Sequence, residues 1–310
     1  MKQFLLVSIL FLHLGCNNHY KNGLLKEGHI ISDGARREYI LYIPEGLKSH
    51  SPFLMAFHGY TGSDTAFMIY SGLNRIALKH GFAVCYPQGL KDSTGKTFWQ
   101  VGYSFHRNQK VDDVDFISTL TRSLQSEYGF DPDRTYATGM SNGGDMCILL
   151  ACRKPDLFKA VAPVVGCMMK VNLDSCRNST SIPVFMINST RDQITWWDGD
   201  MDDKEGWGAY LPVLSTYEFF SKKNHCNNSI TDTLPDITKN DSCYIVATKS
   251  VGKTSHDQVW LYSVVNGKHD WPGASGNMDI NAAEEIWKFF IEVGAGQACK
   301  AYSPWVPEKL

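Results

Sequence analysis

The chain reads as an α/β protein built on a mostly parallel sheet with helices on both faces. Three observations predict this. Short, continuously apolar runs at residues 52–57, 82–87 and 182–187 suit strands buried on both sides. Longer runs between them space their apolar residues three and four apart, as helices do. The two kinds alternate along the chain, which is the pattern of a parallel sheet.

The elements follow in order. Residues 38–44 alternate and are rich in aromatic and β-branched side chains, so they form a strand. The apolar run 52–57 leads into His58-Gly59-Tyr60-Thr61-Gly62-Ser63. Residues 64–80 have helical spacing through Phe67, Leu73, Ile76 and Ala77, and Gly81 closes them. Residues 82–87 are the next strand. Residues 88–110 are a long polar loop holding Trp99, Tyr103, Phe105 and His106. Asp112 caps a helix whose Ile117, Leu120, Leu124 and Tyr128 share a face. A strand at 135–140 passes through a tight turn into a helical run at 145–151. Strands at 159–165 and 182–187 follow, then a second long loop, 195–211, with Trp196, Trp197 and Trp207. A helix near 212–223, strands near 243–248 and 258–265, and an amphipathic helix at 281–292 complete the pattern.

Composition narrows the function. The 310 residues are 43% hydrophobic and 20% charged, enough for a large single core. A net charge of -2 gives no basis for nucleic acid or an anionic surface as partner. Residues 1–15 read as an export signal: Lys2, an apolar stretch from Phe4 to Leu12, then Leu14-Gly15-Cys16. That ending resembles a lipoprotein signal, with Cys16 as the lipidated first mature residue and His13 as a departure from its pattern. The expected location is therefore outside the cytoplasm, anchored at a bacterial membrane or cell surface through the Cys16 lipid, otherwise periplasmic or secreted. Residues 16–28 read as a tether and 29–310 as one domain.

Nine cysteines suit an exported chain, where disulfides form. Cys167 with Cys176 and Cys226 with Cys243 flank polar stretches and are the expected pairs, while Cys147 and Cys152 read as buried thiols. No cysteine pair has zinc-site spacing, and Asp198-Gly199-Asp200-Met201-Asp202-Asp203 begins like a calcium loop but lacks the glycine and closing glutamate one needs. No metal or cofactor is expected.

The chemistry is concentrated at Gly139-Met140-Ser141-Asn142-Gly143, a Gly-x-Ser-x-Gly turn between strand and helix. A serine hydroxyl needs a base to take its proton and an acid to orient that base. In the α/β-hydrolase arrangement these follow as acid, then His. Asp192 stands just after the strand at 182–187, with Asp198 as rival. His269 follows the strand at 258–265, and His225 and His256 are the other histidines in order. Two backbone N–H groups must face the developing oxyanion. Asn142 supplies one and Tyr60 the other, with Thr61 as the alternative. His58 reads as a residue that shapes its loop. Trp99, Trp196, Trp197 and Trp207 sit in loops flanking this site, and Trp271 follows His269. They could stack on a phenolic acid or a sugar, with plain packing as the competing reading.

Together these segments resemble the exported polyhydroxybutyrate depolymerase and feruloyl esterase-like proteins, close to family one of the carbohydrate esterases. The likeness runs over roughly residues 36–292. It rests on Phe57-His58-Gly59, Tyr86-Pro87-Gln88-Gly89, Val111-Asp112-Asp113-Val114-Asp115-Phe116-Ile117, Gly139-Met140-Ser141-Asn142-Gly143-Gly144, Pro155-Asp156-Leu157-Phe158, Thr190-Arg191-Asp192 and His269-Asp270-Trp271-Pro272-Gly273. The resemblance implies Ser141 as nucleophile, Asp192 as acid and His269 as base. Departures at Asn188-Ser189, Lys268 and residues 195–200 lie at the pocket rim and bear on the substrate rather than the reaction. The expected function is hydrolysis of carboxylic esters through an acyl-enzyme, on feruloyl or acetyl esters of plant polysaccharide. Hydroxyalkanoate polymers or oligomers are the alternative substrate, and a glycan-binding lipoprotein on the same scaffold is the non-enzyme alternative.

Overall fold

The computed structural model describes residues 17–20 and 22–294, so the export signal, Cys16 and Cys299 lie outside the described residues. The chain begins with three strands, β1 (Asn17–Tyr20), β2 (Gly23–Ser32) and β3 (Ala35–Pro44). Then come β4 (Phe53–Phe57), α1 (Asp64–Ser71), α2 (Leu73–His80), β5 (Ala83–Pro87), the short hairpin β6 (Leu90–Lys91) and β7 (Thr97–Phe98), and α3 (Asp113–Tyr128). The middle of the chain forms β8 (Thr135–Met140), α4 (Asn142–Arg153), β9 (Ala160–Val164), α5 (Leu173–Arg177) and β10 (Val184–Ser189). It ends with α6 (Val213–Lys223), β11 (Asn228–Thr233), β12 (Tyr244–Val251), β13 (Gln258–Val265) and α7 (Ala282–Gly294).

One 11-stranded sheet runs β1-β2-β3-β5-β4-β8-β9-β10-β13-β12-β11. Its centre, from β5 to β13, is parallel, and antiparallel strands extend it at both edges. This is the α/β-hydrolase fold. The strand period of two sorts side chains between two cores. Phe53, Met55 and Phe57 of β4 enter the core under α3, α4 and α6. Leu54 and Ala56 enter the other, under α1, α2 and α7. Each such buried Phe or Leu contributes about 2 kcal/mol, so β4, apolar on both faces, has no stable place at an edge. Helix α4 is buried along almost its whole length, which accounts for its unbroken apolar run Met146-Cys147-Ile148-Leu149-Leu150-Ala151.

Three sequence expectations are corrected. The helix expected over 64–80 is two helices, because Gly72 adopts φ 67 between α1 and α2. Within the tether expected at 16–28, residues 17–20 and 23–28 are instead sheet: β1 pairs with β2, and β2 pairs along β3, with Leu24 opposite Ile43 and Ile30 opposite Arg37. That outer hairpin is half solvated, so its polar side chains mimic a linker. Its turn, Asp33-Gly34 at φ 50 and 74, is the signal that marks it as a hairpin. The disulfide joins Cys152 to Cys176, whose Cα atoms are 4.2 Å apart, linking α4 to α5. Cys167, Cys226 and Cys243 are free. Cys167 could not take its expected partner because Cys176, buried against α4, faces Cys152.

Candidate active site

Strand β8 delivers Ser141 to the C-terminal edge of the parallel strands. Its backbone stands at φ 57 and ψ -124, a strained conformation for a residue with a side chain. The strain is held from both sides. Ser141 N–H donates to the Val164 carbonyl at 2.9 Å, and Ser141 O accepts from Asp145 N–H at 2.9 Å as α4 begins. The turn is closed so tightly that a Cβ on Gly139 would meet Gly143 O at 2.5 Å, and one on Gly143 would meet Phe57 O at 2.2 Å. Only glycine fits at either position.

Asp192 and His269 arrive beyond neighbouring parallel strands. β10 and β13 are in register, Ser189 opposite Val264. The loops beyond them are stitched together: Thr190 N–H donates to Val264 O at 3.0 Å, Arg191 N–H to Gly267 O at 3.0 Å, and Asn266 N–H to Thr190 Oγ1 at 2.9 Å. His269 Nδ1 then donates to Asp192 Oδ2 at 2.7 Å. The other Asp192 oxygen accepts from Ile194 and Thr195 N–H at 2.8 and 2.9 Å. The carboxylate is thereby fixed in orientation and buried, while His269 keeps partial exposure. The alternatives Asp198, His225 and His256 are exposed on the surface.

Ser141 opens into a narrow cleft of about 20 Å³, walled by Tyr103, Met169, Trp207 and Tyr210 and floored by Asp145 and Cys167. Burial pushes the Asp145 carboxyl up to about 6, against hydrogen bonds from Tyr103 and Cys167. A larger cleft of about 720 Å³, between α5 and the end of α6, is lined by Arg177, Phe219, Lys222 and Lys223 and includes none of the predicted catalytic residues. Size is a poorer guide here than chemistry.

The loop after β4 closes the other side. A Cβ on Gly59 would lie 3.3 Å from Ser141 Cβ, so the backbone at Gly59 passes close to Ser141. Thr61 N–H donates to Thr97 O at 2.8 Å, which removes it as the alternative donor. Asn142 is the first residue of α4, and its N–H has no acceptor within the helix. His58 shapes this loop: Nδ1 donates to Gly59 O at 2.7 Å, and Nε2 accepts from Gly89 N–H at 3.0 Å. Burial lowers its pKa to about 4, so the ring is neutral.

The tryptophans divide. Trp99 is fully buried and is corrected from a substrate residue to a structural clamp. Its backbone N–H and C=O pair with the Asn142 side chain at 2.7 and 3.1 Å, and its indole N–H donates to His58 O at 2.9 Å. Trp271 is corrected likewise, buried edge-on against Phe67 at 5.4 Å. Trp196 and Trp197 are half-buried, with the Trp197 ring packed against the core. Trp207 does line the cleft, beside Tyr60 and Phe105. Sequence reasoning passed over Asp145, Tyr103, Thr195 and Tyr210. Asp145 alone carried a signal, as the one acid in an otherwise apolar helical run. In the acidic loop, Asp200 accepts from Glu205 N–H and Asp203 from Gly208 N–H, so those carboxylates serve the loop itself. Among the described residues no group of three or more His, Cys, Asp or Glu is placed to hold a metal.

Fold and site together define an α/β-hydrolase carrying serine, acid and histidine at the ends of its parallel strands. The chain belongs to the esterase PHB depolymerase family, which matches residues 37–211. Among curated relatives it is 25% identical over 205 residues to feruloyl esterase B of Piromyces equi, covering 64% of this chain and 38% of that protein. It is 31% identical over 173 residues to the putative esterase NocK of Nocardia uniformis subsp. tsuyamanensis, covering 55% and 49%. It is 30% identical over 127 residues to poly(3-hydroxyalkanoate) depolymerase C of Paucimonas lemoignei, covering 40% and 30%. The match thus spans less than half the length of each of these relatives. In structure it resembles an acetyl xylan esterase from Aspergillus awamori, with a TM-score of 0.59 at 13% identity over 86% of this chain and 99% of that one. At that identity the likeness speaks to the fold.

Proposed function

We propose that this protein hydrolyses carboxylic esters through an acyl-enzyme on Ser141. The observation that carries the reading is the strained Ser141 turn at the end of one parallel strand, together with a histidine oriented by a buried carboxylate beyond the neighbouring strands of the same sheet. His269 takes the Ser141 proton as Oγ attacks the ester carbonyl. The N–H groups of Asn142 and Tyr60 face the oxyanion. His269 then protonates the leaving alcohol, and water, deprotonated by the same ring, releases the acid. Asp192 holds the tautomer with hydrogen on Nδ1, leaving Nε2 to move the proton. Ser141→Ala abolishes turnover of p-nitrophenyl acetate while the protein still folds, and a fluorophosphonate adds to the native chain but not to the variant. Turnover retained in Ser141→Ala sinks the reading.

For the substrate we favour short acyl esters on plant polysaccharide, acetyl before feruloyl. The cleft at Ser141 is narrow, and the half-exposed rings of Trp207, Phe105 and Tyr60 beside it offer a face to a sugar. Relatives named for feruloyl and acetylxylan ester hydrolysis support this class. A hydroxyalkanoate oligomer is the second reading, favoured by the polar Asp145 floor and by the depolymerase among the relatives. Release of acid from acetylated xylo-oligosaccharide, methyl ferulate and a hydroxybutyrate trimer ranks the three. Binding of the glycan without turnover of any ester would favour the non-enzyme alternative. Export with a lipid on Cys16 belongs to the same proposal. It is supported by the residues 1–16 and by the Cys152–Cys176 disulfide, which suits an oxidising compartment. Metabolic labelling with a fatty acid, lost in Cys16→Ser, tests it.

A further inference from the structure

The Tyr60 ring is tied to a buried acid that the reaction does not use. Tyr60 OH donates to Asp92 Oδ2 at 2.7 Å, and His106 Nε2 donates to the same oxygen at 3.1 Å. Asp92 Oδ1 accepts from Thr94 N–H at 2.8 Å, Thr94 Oγ1 at 2.7 Å and Lys96 N–H at 3.1 Å. Burial alone would push this carboxyl up. The hydrogen bonds from Thr94, Tyr60, His106 and Lys96 outweigh it and hold Asp92 well below the usual carboxylate range. Asp92 is therefore ionised, and His106, lowered by burial, is neutral with its hydrogen on Nε2.

Three loops meet at this carboxylate. Asp92 closes the β6–β7 hairpin. His106 belongs to the short helical turn Ser104–His106; the preceding Tyr103 lines the cleft, and Phe105 within the turn packs edge-on against Trp207. Tyr60 belongs to the loop that passes close to Ser141. The hairpin grips that loop a second time through its backbone: Thr61 N–H donates to Thr97 O, and Thr97 Oγ1 donates to Gly62 O at 2.5 Å. Tyr60 is thus held on both sides, Thr61 at φ 66 being the strained link between the grips.

We propose that Asp92 and His106 are positioning residues that act through the Tyr60 side chain to aim the Tyr60 N–H at the oxyanion. The proposal rests on the ester-hydrolase reading above. It adds that the β6–β7 hairpin, remote in sequence from the serine, acid and histidine, sets the transition-state fit. A ring free to swing would let the 59–61 backbone drift, and sub-ångström to ångström misplacement of a catalytic group lowers rates by roughly 10- to 100-fold. A backbone donor withdrawn altogether lowers them by about 10²- to 10³-fold. The effect falls on the transition state, because the ground-state ester needs no oxyanion donor.

The test is a split between kcat and KM, read with a transition-state mimic. Tyr60→Phe keeps the ring and removes only the hydroxyl. It lowers kcat for p-nitrophenyl acetate by roughly tenfold or more with KM nearly unchanged. Inhibition by phenylboronic acid, which forms a tetrahedral adduct on Ser141, weakens by a similar factor, while inhibition by acetate does not. His106→Gln places an amide N–H where Nε2–H was and keeps the native kcat, whereas His106→Ala reproduces the Tyr60→Phe loss. If Tyr60→Phe melts early, the His106 pair decides the matter. Equal kcat in Gln and Ala variants, or a Tyr60→Phe enzyme with native kcat and boronate affinity, overturns the proposal. Neither result touches the hydrolase reading, which stands or falls with Ser141→Ala in the same assay.

Discussion

Tyr103 donates its hydroxyl to Asp145 Oδ2 at 2.6 Å, and Asp145 Oδ1 accepts from Cys167 N–H at 2.6 Å. The carboxyl at the floor of the cleft therefore ties the 88–110 loop and the segment after β9 to the helix that starts at Ser141. Burial raises its pKa from 3.8 to about 6. A carboxyl raised on folding binds its proton more tightly in the folded state. Its contribution is whole below about pH 4 and is lost as pH rises through about 6. A shift of about two pKa units is worth about 3 kcal/mol. Asp145→Asn keeps both partners, accepting from Cys167 and donating to the Tyr103 oxygen. The stability of Asp145→Asn relative to the native chain accordingly rises by about 3 kcal/mol between pH 4 and pH 7.5. Urea denaturation across that range checks it, and a flat difference overturns it.

His58 runs the other way. Its folded pKa is lowered from 6.5 to about 4, and Nε2 must stay unprotonated to accept from Gly89. Stability from a depressed base is whole above about pH 6.5 and is lost as pH falls through about 4. The shift is worth about 3 kcal/mol, close to the Asp145 effect and opposite in sign. In the native chain the two offset each other between pH 6.5 and 4. In Asp145→Asn the His58 loss is unmasked, and that variant weakens by about 3 kcal/mol on acidification while the native chain changes far less. Denaturation midpoints of both proteins at pH 7 and pH 4 provide the check.

The parallel core and the pairing of Asp192 with His269 at strand ends were legible because both follow from local pattern and chain order. Buried strands such as β4 are apolar throughout, and Ser141 sits between glycines that its turn requires. The outer strands were less legible. β2 and β11 are half or wholly exposed, so their sequences look like linker. The disulfide depends on α5 lying along α4, a tertiary contact no spacing encodes. The roles of the tryptophans were illegible for a related reason. A large ring in a loop has the same sequence context whether it points into the core, as Trp99 does, or into the cleft, as Trp207 does.

That division of tryptophans has separate consequences. Trp99→Phe removes the indole donor to His58 O and leaves a buried carbonyl without it. The loss is about 1–3 kcal/mol of stability, seen as a lower melting temperature. Trp207→Ala removes half-exposed cleft wall, leaves the melting temperature within a degree or two and raises KM for the sugar ester severalfold. A Trp99→Phe enzyme with native melting temperature but raised KM would return that residue to the substrate face.

Asp192→Asn probes the orientation of His269. The amide oxygen can still accept from Ile194 and Thr195 N–H, so the loop keeps its shape and the melting temperature changes little. Its NH₂ then faces His269 Nδ1 and donates where the carboxylate accepted. The ring must turn its Nδ1 lone pair to that donor and carry its hydrogen on Nε2. In that tautomer Nε2 cannot take the Ser141 proton. Loss of the carboxylate also leaves the imidazolium formed during attack without its counter-charge. The two effects together lower kcat by about 10⁴-fold. Because the tautomer and not the fold is altered, rates recover partly at high pH, where hydroxide can take the serine proton directly. A pH–rate profile of Asp192→Asn that is low but rises with hydroxide is the expected result. A variant within tenfold of native kcat at neutral pH would mean that Asp192 only anchors its loop.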